Sequence, residues 1–147
     1  MFSLFRNEKP FYSGSLDPTE LPGTKKKSFA LPFNGGEIWF EHLDGMYQFS
    51  SLALDKLRAD SPTFQQPSKP SAIGFVLNET WITEELAGEI VNTLCDTAKV
   101  FRRVCFIGAD RETRKLISRG LRGKARFAYC FIYDFERAKE WLISEGE

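Results

Sequence analysis

A single histidine, His42, serves all 147 residues. Any site that needs two imidazoles, whether a metal cage or a paired acid and base, is therefore excluded. Cysteine is nearly as scarce. Cys95, Cys105 and Cys130 form no CxxC pair and leave an odd thiol over, so reduced, packed thiols are expected in place of a zinc ribbon or disulfide framework. No apolar run approaches the roughly 20 residues of a membrane span. The opening stretch MFSLFRNEKP has neither the hydrophobic segment nor the cleavage site of a signal peptide, and a cytoplasmic location is the expectation. Twenty basic and twenty acidic residues cancel, which removes any whole-molecule attraction to nucleic acid. Neither GxGxxG nor GxSxG occurs, and segment 120–124 (GLRGK) lacks the spacer and hydroxyl of a phosphate loop. No residue set for catalysis, no cofactor motif and no metal-ligand spacing emerges. A non-enzymatic role is expected.

What is present is ordinary globular material: 42% hydrophobic and 27% charged residues, with fourteen phenylalanines available for a core. Residues 1–24 combine Pro10, Gly14, Pro18, Pro22 and Gly23 with the apolar Phe2, Leu4, Phe5, Phe11, Tyr12 and Leu16. They read as an irregular arm, and residues 25–147 as a single domain. Segments 28–33 and 37–43, joined by Asn34-Gly35-Gly36, predict a β-hairpin. A helix is expected over 49–59, capped by Ser50 or Ser51, followed by a proline-rich loop over 60–72.

Residues 73–77 (IGFVL) form a short apolar run of the kind buried on both faces of a parallel sheet. Beyond a polar loop, Thr83 is placed to cap a helix whose first turn is acidic, and Leu86, Ile90, Leu94 and Ala98 make its apolar stripe. A further strand at 103–107 leads to a helix capped by Asp110, running through Arg119 and stopped by Gly120. The last strand spans 126–133. Asp134 then caps a final helix carrying Ala138, Trp141 and Leu142, with Gly146 past its end. A hairpin followed by alternating strands and helices predicts an α/β fold: a mixed, mostly parallel five-stranded sheet with about four helices.

Charge is segregated despite the neutral total. Residues 79–98 contain five acids and no base, whereas 99–126 contain ten bases against two acids. Glu84 and Glu85 match the positive end of their helix; they are not read as a catalytic acid–base pair. The loop and helix start at 79–89 is the candidate docking surface for a protein partner, with Thr80, Trp81, Thr83, Glu84, Glu85 and Glu89 as its residues. Arg119, Arg122, Lys124 and Arg126, clustered around two glycines, offer an alternative site for an anionic small molecule or lipid, as the basic mouth of a carrier with an apolar pocket. His42 reads as a structural strand histidine.

The element order, with the strand IGFVL, the helix TEELAGEIVNTL, the strand RVCFIGA and the closing helix DFERAKEWLI, resembles the STAS family (sulfate transporter and anti-sigma-factor antagonist domains). The likeness is to the small stand-alone bacterial members, from about residue 27 onward. It implies a regulatory protein-binding module; a homodimer is kept open as a further partner state, independent of the resemblance. In that family a serine or threonine at the start of the central helix, in a pattern that reads roughly Asp-Ser-x-Gly, is phosphorylated by a partner kinase. The matching positions here are Thr83, Glu84, Glu85 and Leu86. The resemblance therefore implies either a fixed negative charge at Glu84 in place of the switch, or modification of Thr83 or Thr80.

Overall fold

Two apolar pentapeptides, Ala72–Val76 (β3) and Arg103–Ile107 (β4), are buried along their whole length and form the middle of a sheet. The computed structural model describes residues 9–14, 17–33, 36–67 and 69–144. On one side of the central pair stand Gly36–His42 (β2) and, antiparallel to it, Phe29–Phe33 (β1). On the other stands Ala128–Ile132 (β5). Spatial order equals chain order, β1-β2-β3-β4-β5, and β2 to β5 are parallel. Four helices complete the α/β fold: Ser50–Phe64 (α1), Glu84–Cys95 (α2), Arg111–Leu121 (α3) and Phe135–Ile143 (α4). None of the helices among the described residues is long and apolar enough to cross a membrane. The hairpin turn at 34–35, the arm residues 1–8 and 15–16, and Gly146 lie outside the described residues.

Adding each strand beside its predecessor with right-handed crossovers puts every connecting helix on the same face. The buried side chains follow that division. One core joins Ile73, Phe75, Val104 and Phe106 of the sheet to the inner faces of α1, α2 and α3. The alternate residues Ile38, Phe40, Val76, Cys105 and Ile107 meet Ala138 and Leu142 of α4 on the opposite face. Phenylalanine links the strands laterally: Phe75–Phe106 and Phe106–Phe131 have ring centroids 5.7 and 5.3 Å apart. On the α4 face, Gly74 leaves room for neighbours, since a Cβ there would lie 3.1 Å from the Phe40 ring.

Two arginines that contribute to the basic count anchor α4. Arg103 Nη1 donates to Trp141 O at 2.8 Å and to Ser144 Oγ at 2.7 Å, and its guanidinium lies 4.7 Å from the Trp141 ring. Arg102 Nη2 donates to Leu142 O at 2.5 Å. Cations here satisfy the orphan carbonyls at the helix C-terminus and oppose its negative end.

Several boundaries differ from the sequence expectation. Helix α1 runs on through Pro62 to the fully buried Phe64. Proline removes one N–H from the last turn, and the Ser61 hydroxyl donates to Arg58 O instead. Its N-cap is Phe49, without a side-chain cap bond, so neither Ser50 nor Ser51 caps it. Helix α2 ends at Cys95, before Ala98. Gly120 lies inside α3, where a Cβ would approach Val91 of α2 to 2.8 Å; the small residue serves close helix packing, and the left-handed backbone comes later, at Gly123 (φ +76). Cys105 and Cys130, remote in sequence, are register partners with their sulfurs 3.8 Å apart.

Candidate functional site

Strands β3 and β4 point their C-terminal ends toward the N-termini of α2 and α3, so the two connecting loops share one edge of the molecule. The β3–α2 loop is held there by backbone pairing with the loop after β2. Gly45 N donates to Asn78 O at 2.9 Å, Tyr47 N to Glu79 O at 2.8 Å, and Trp81 N to Tyr47 O at 2.9 Å. Tyr47 and Glu79 both adopt positive φ, +53° and +58°. Such backbone persists in non-glycine residues only where the surroundings fix it.

Thr80 is the bolt of this arrangement. It is buried, its hydroxyl donates to Leu43 O at 2.6 Å, and it accepts from Met46 N at 2.9 Å. Its side chain is thus directed into the scaffold, away from solvent. Next to it Trp81 is 38% exposed, and Lys9 of the N-terminal arm stands 5.8 Å from the centroid of its ring. Thr83 caps α2 by accepting from Leu86 N at 3.1 Å. Asp110 does the same for α3, accepting from Thr113 N at 2.8 Å. Both caps satisfy donors that would otherwise be orphaned at a helix start.

Between the two helix starts lies an open groove of about 380 Å³. Trp81, Ile82 and Leu116 give it apolar lining. Glu84 and Glu112 supply carboxylates, the latter bonded to Lys9 Nζ at 2.5 Å, while Lys115 and Arg119 supply cations. Two regions of opposite charge that are remote in sequence therefore meet across one groove. Both signs of charge beside an exposed indole form a surface able to make directed ion pairs around an apolar anchor.

The sequence-predicted docking residues separate accordingly. Trp81, Thr83 and Glu84 line the groove. Glu85 is exposed on α2 outside that lining, and Glu89 points to α1, its Oε2 3.6 Å from Arg58 Nε. Of the basic candidates, three border open grooves that Arg119 links, and Arg126 does not line them. Arg119 lines this groove and two others, one shared with Arg111, Arg114 and Arg122 farther along α3, the other shared with Lys124 between α2 and α3. Arg126 Nη2 donates to Thr97 O at 3.0 Å. No ion pair joins α2 to α3 among the described residues, so their opposite charges are not spent on each other.

Sequence reasoning missed Glu112, Lys115 and Leu116. Their spacing with Arg119 on α3 (112, 115, 116, 119) places them on one helical face, a signal that was available. Lys9 had no local signal, because the arm reaches the groove only through tertiary folding.

His42 and its neighbours form a separate structural cluster. Its Nδ1 lies 2.8 Å from Asp44 Oδ1, and Lys26 Nζ lies 2.5 Å from Asp44 Oδ2. Burial pushes the Asp44 carboxyl up, but hydrogen bonds from His42 and Lys26 more than offset it and leave it below its ordinary value. Among the described residues no three His, Cys, Asp or Glu side chains are gathered as for a metal ion. Compared with family models, curated proteins and solved structures, the chain matches none.

Proposed function

We propose that this protein is a non-enzymatic regulatory module of STAS type that docks a protein partner through the loop and helix start at 79–89. The observation that supports this most is Trp81, an exposed indole on a loop whose backbone is bonded in place by the loop after β2. Large apolar side chains held in the open lose little further entropy on binding, and tryptophan is enriched among residues that dominate interface energy. Glu84 occupies the position of the family's phosphorylated serine and supplies a permanent negative charge there. Thr83, at the N-cap, is the hydroxyl a kinase would reach more readily, since that of Thr80 is buried.

The sheet topology also favours a surface over a crevice. Small ligands of α/β folds bind where strand order reverses, and β2 to β5 are laid down in one direction with no such reversal. The alternative, a carrier for an anionic small molecule or lipid, draws on the cations of α3, which border open grooves.

The test is affinity capture from the source cell, followed by titration of the purified partner against wild type, Trp81→Ala and Glu84→Lys/Glu85→Lys. Both variants are expected to keep the wild-type circular dichroism and weaken the complex by about tenfold or more. Equal affinity for all three would reject the docking surface. A small anion detected by native mass spectrometry, and lost on Arg122→Glu, would favour the carrier.

A further inference from the structure

The two edges of the sheet are not equivalent. Natural sheets guard their edges with proline, charge or short strands, because an edge displays unpaired backbone donors and acceptors. Strand β1 carries an exposed Pro32 and so has such a guard. Strand β5 reads AYCFI, with neither proline nor charge, and among the described residues no strand pairs with its outer side.

The direction of its backbone groups follows from one bond. Gly108 N donates to Ile132 O at 3.2 Å, so Ile132 faces β4. In a parallel ladder each residue turns its N–H and C=O to the same side and successive residues alternate. Ala128, Cys130 and Ile132 therefore pair inward, while Tyr129 and Phe131 turn their backbone groups outward.

Helix α3 stands beside this edge. A groove of about 470 Å³ is walled by Arg111, Arg114, Lys115, Arg119 and Arg122, with Phe131 at its floor. None of these five cations forms an ion pair among the described residues. On the opposite face of β5, Cys130 and Ile132 pack with the α4 core but remain half-buried. An added strand would therefore place alternate side chains against arginines on one face and against an apolar surface on the other.

We propose that the β5 edge takes an extended acidic peptide as a sixth strand, with acidic residues facing α3 and apolar residues alternating with them. Charge complementarity selects this occupant. A second copy pairing β5 with β5 about a two-fold axis would bring two α3 helices to the same face and set their arginines against each other. Single-stranded nucleic acid needs free ring faces for stacking, whereas Phe131 is stacked on Phe106 and Tyr129 meets it edge-on at 6.1 Å.

The test is amide hydrogen exchange by NMR on the full chain, titrated with a short synthetic peptide of alternating aspartate and valine and, as control, its lysine–valine counterpart. Binding of the acidic peptide is expected to slow exchange at Tyr129 and Phe131 by about tenfold or more, against little change at Ala128, Cys130 and Ile132, which are already paired. Arg111→Glu/Arg122→Glu is expected to weaken that binding by at least about tenfold at low salt while leaving exchange in β3 and β4 unchanged. Trp81→Ala, which tests the other groove, is expected to leave the peptide affinity unaltered, so the two proposals fail separately. Peptide binding without slower exchange at Tyr129 and Phe131 would overturn edge pairing. So would concentration-dependent protection of those amides in the free chain, protection lost on removing residues 1–8, or displacement of the peptide by oligothymidylate.

Discussion

Replacing Glu41 by glutamine is expected to stabilise the fold, and increasingly so as pH rises. Glu41 is fully buried on β2. Its Oε1 accepts from Trp39 Nε1 at 2.8 Å. Its Oε2 and Asp60 Oδ2 on α1 are the two buried side-chain oxygens that lack a hydrogen-bond partner among the described residues, and Lys56 Nζ stands 3.6 Å from the latter. Burial pushes the Glu41 carboxyl up from 4.5 to about 8; the Trp39 N–H works against this and Asp60 reinforces it. A proton on Glu41 supplies the donor that two facing carboxyl oxygens need.

The sign follows from which state binds that proton. Below pH 4.5 Glu41 is protonated whether folded or unfolded, and the group costs nothing. Between 4.5 and about 8 the unfolded chain ionises while the folded chain keeps its proton, so stability is lost continuously through that window. At about 1.4 kcal/mol per pH unit the loss reaches roughly 3 kcal/mol near pH 7 and about 5 kcal/mol above pH 8. Glutamine keeps an oxygen for Trp39, offers Asp60 a permanent N–H and does not ionise. Urea unfolding followed by circular dichroism at about pH 5, 7 and 9 measures the difference. Glu41→Gln is expected to gain little at the lowest pH and about 3 kcal/mol near neutrality. A variant no more stable than wild type near pH 7, or a gap that does not widen with pH, refutes the reasoning.

Two further substitutions separate scaffold from surface in the 79–89 segment. Thr80→Val keeps the shape but leaves Leu43 O and Met46 N without their partner, and is expected to cost about 2–4 kcal/mol in chemical unfolding; a loss below about 1 kcal/mol would show that water replaces the hydroxyl. Thr83→Ala removes only the cap of α2 and is expected to cost about 1 kcal/mol, with Thr83→Ser restoring most of it. If serine fails to rescue, the methyl packing of Thr83 matters more than its oxygen.

The fold was largely legible because its signals are local. Continuous apolar runs mark β3 and β4, a period-four apolar stripe marks α2, and Thr83, Asp110 and Asp134 each form the cap bond that their position implies. Misreadings came where tertiary packing overrode a local rule. Pro62 stays helical because Phe64 anchors the turn in the core, and Gly120 stays helical because α2 needs the space beside Val91. The site was legible only in part. Trp81, Thr83 and Glu84 sit together in sequence and in space, yet their counterparts on α3 and Lys9 come from elsewhere in the chain. Nor does the sequence distinguish Arg102 and Arg103, which hold α4, from the arginines of α3 that face solvent.

The strict agreement of chain order with strand order carries a consequence for synthesis on the ribosome. Each βα unit can dock as it emerges, against a neighbour already in place, so the sheet can grow like a row of tiles with no strand waiting for a distant partner. The face under α4 is the exception. Ile38, Phe40, Val76 and Ile107 belong to strands completed early, but their covering side chains, Ala138 and Leu142, are translated after all of these. Until those last turns leave the exit tunnel the nascent domain carries one finished face and one bare one, and a stall before residue 135 would present that apolar surface to any chaperone or neighbouring chain within reach.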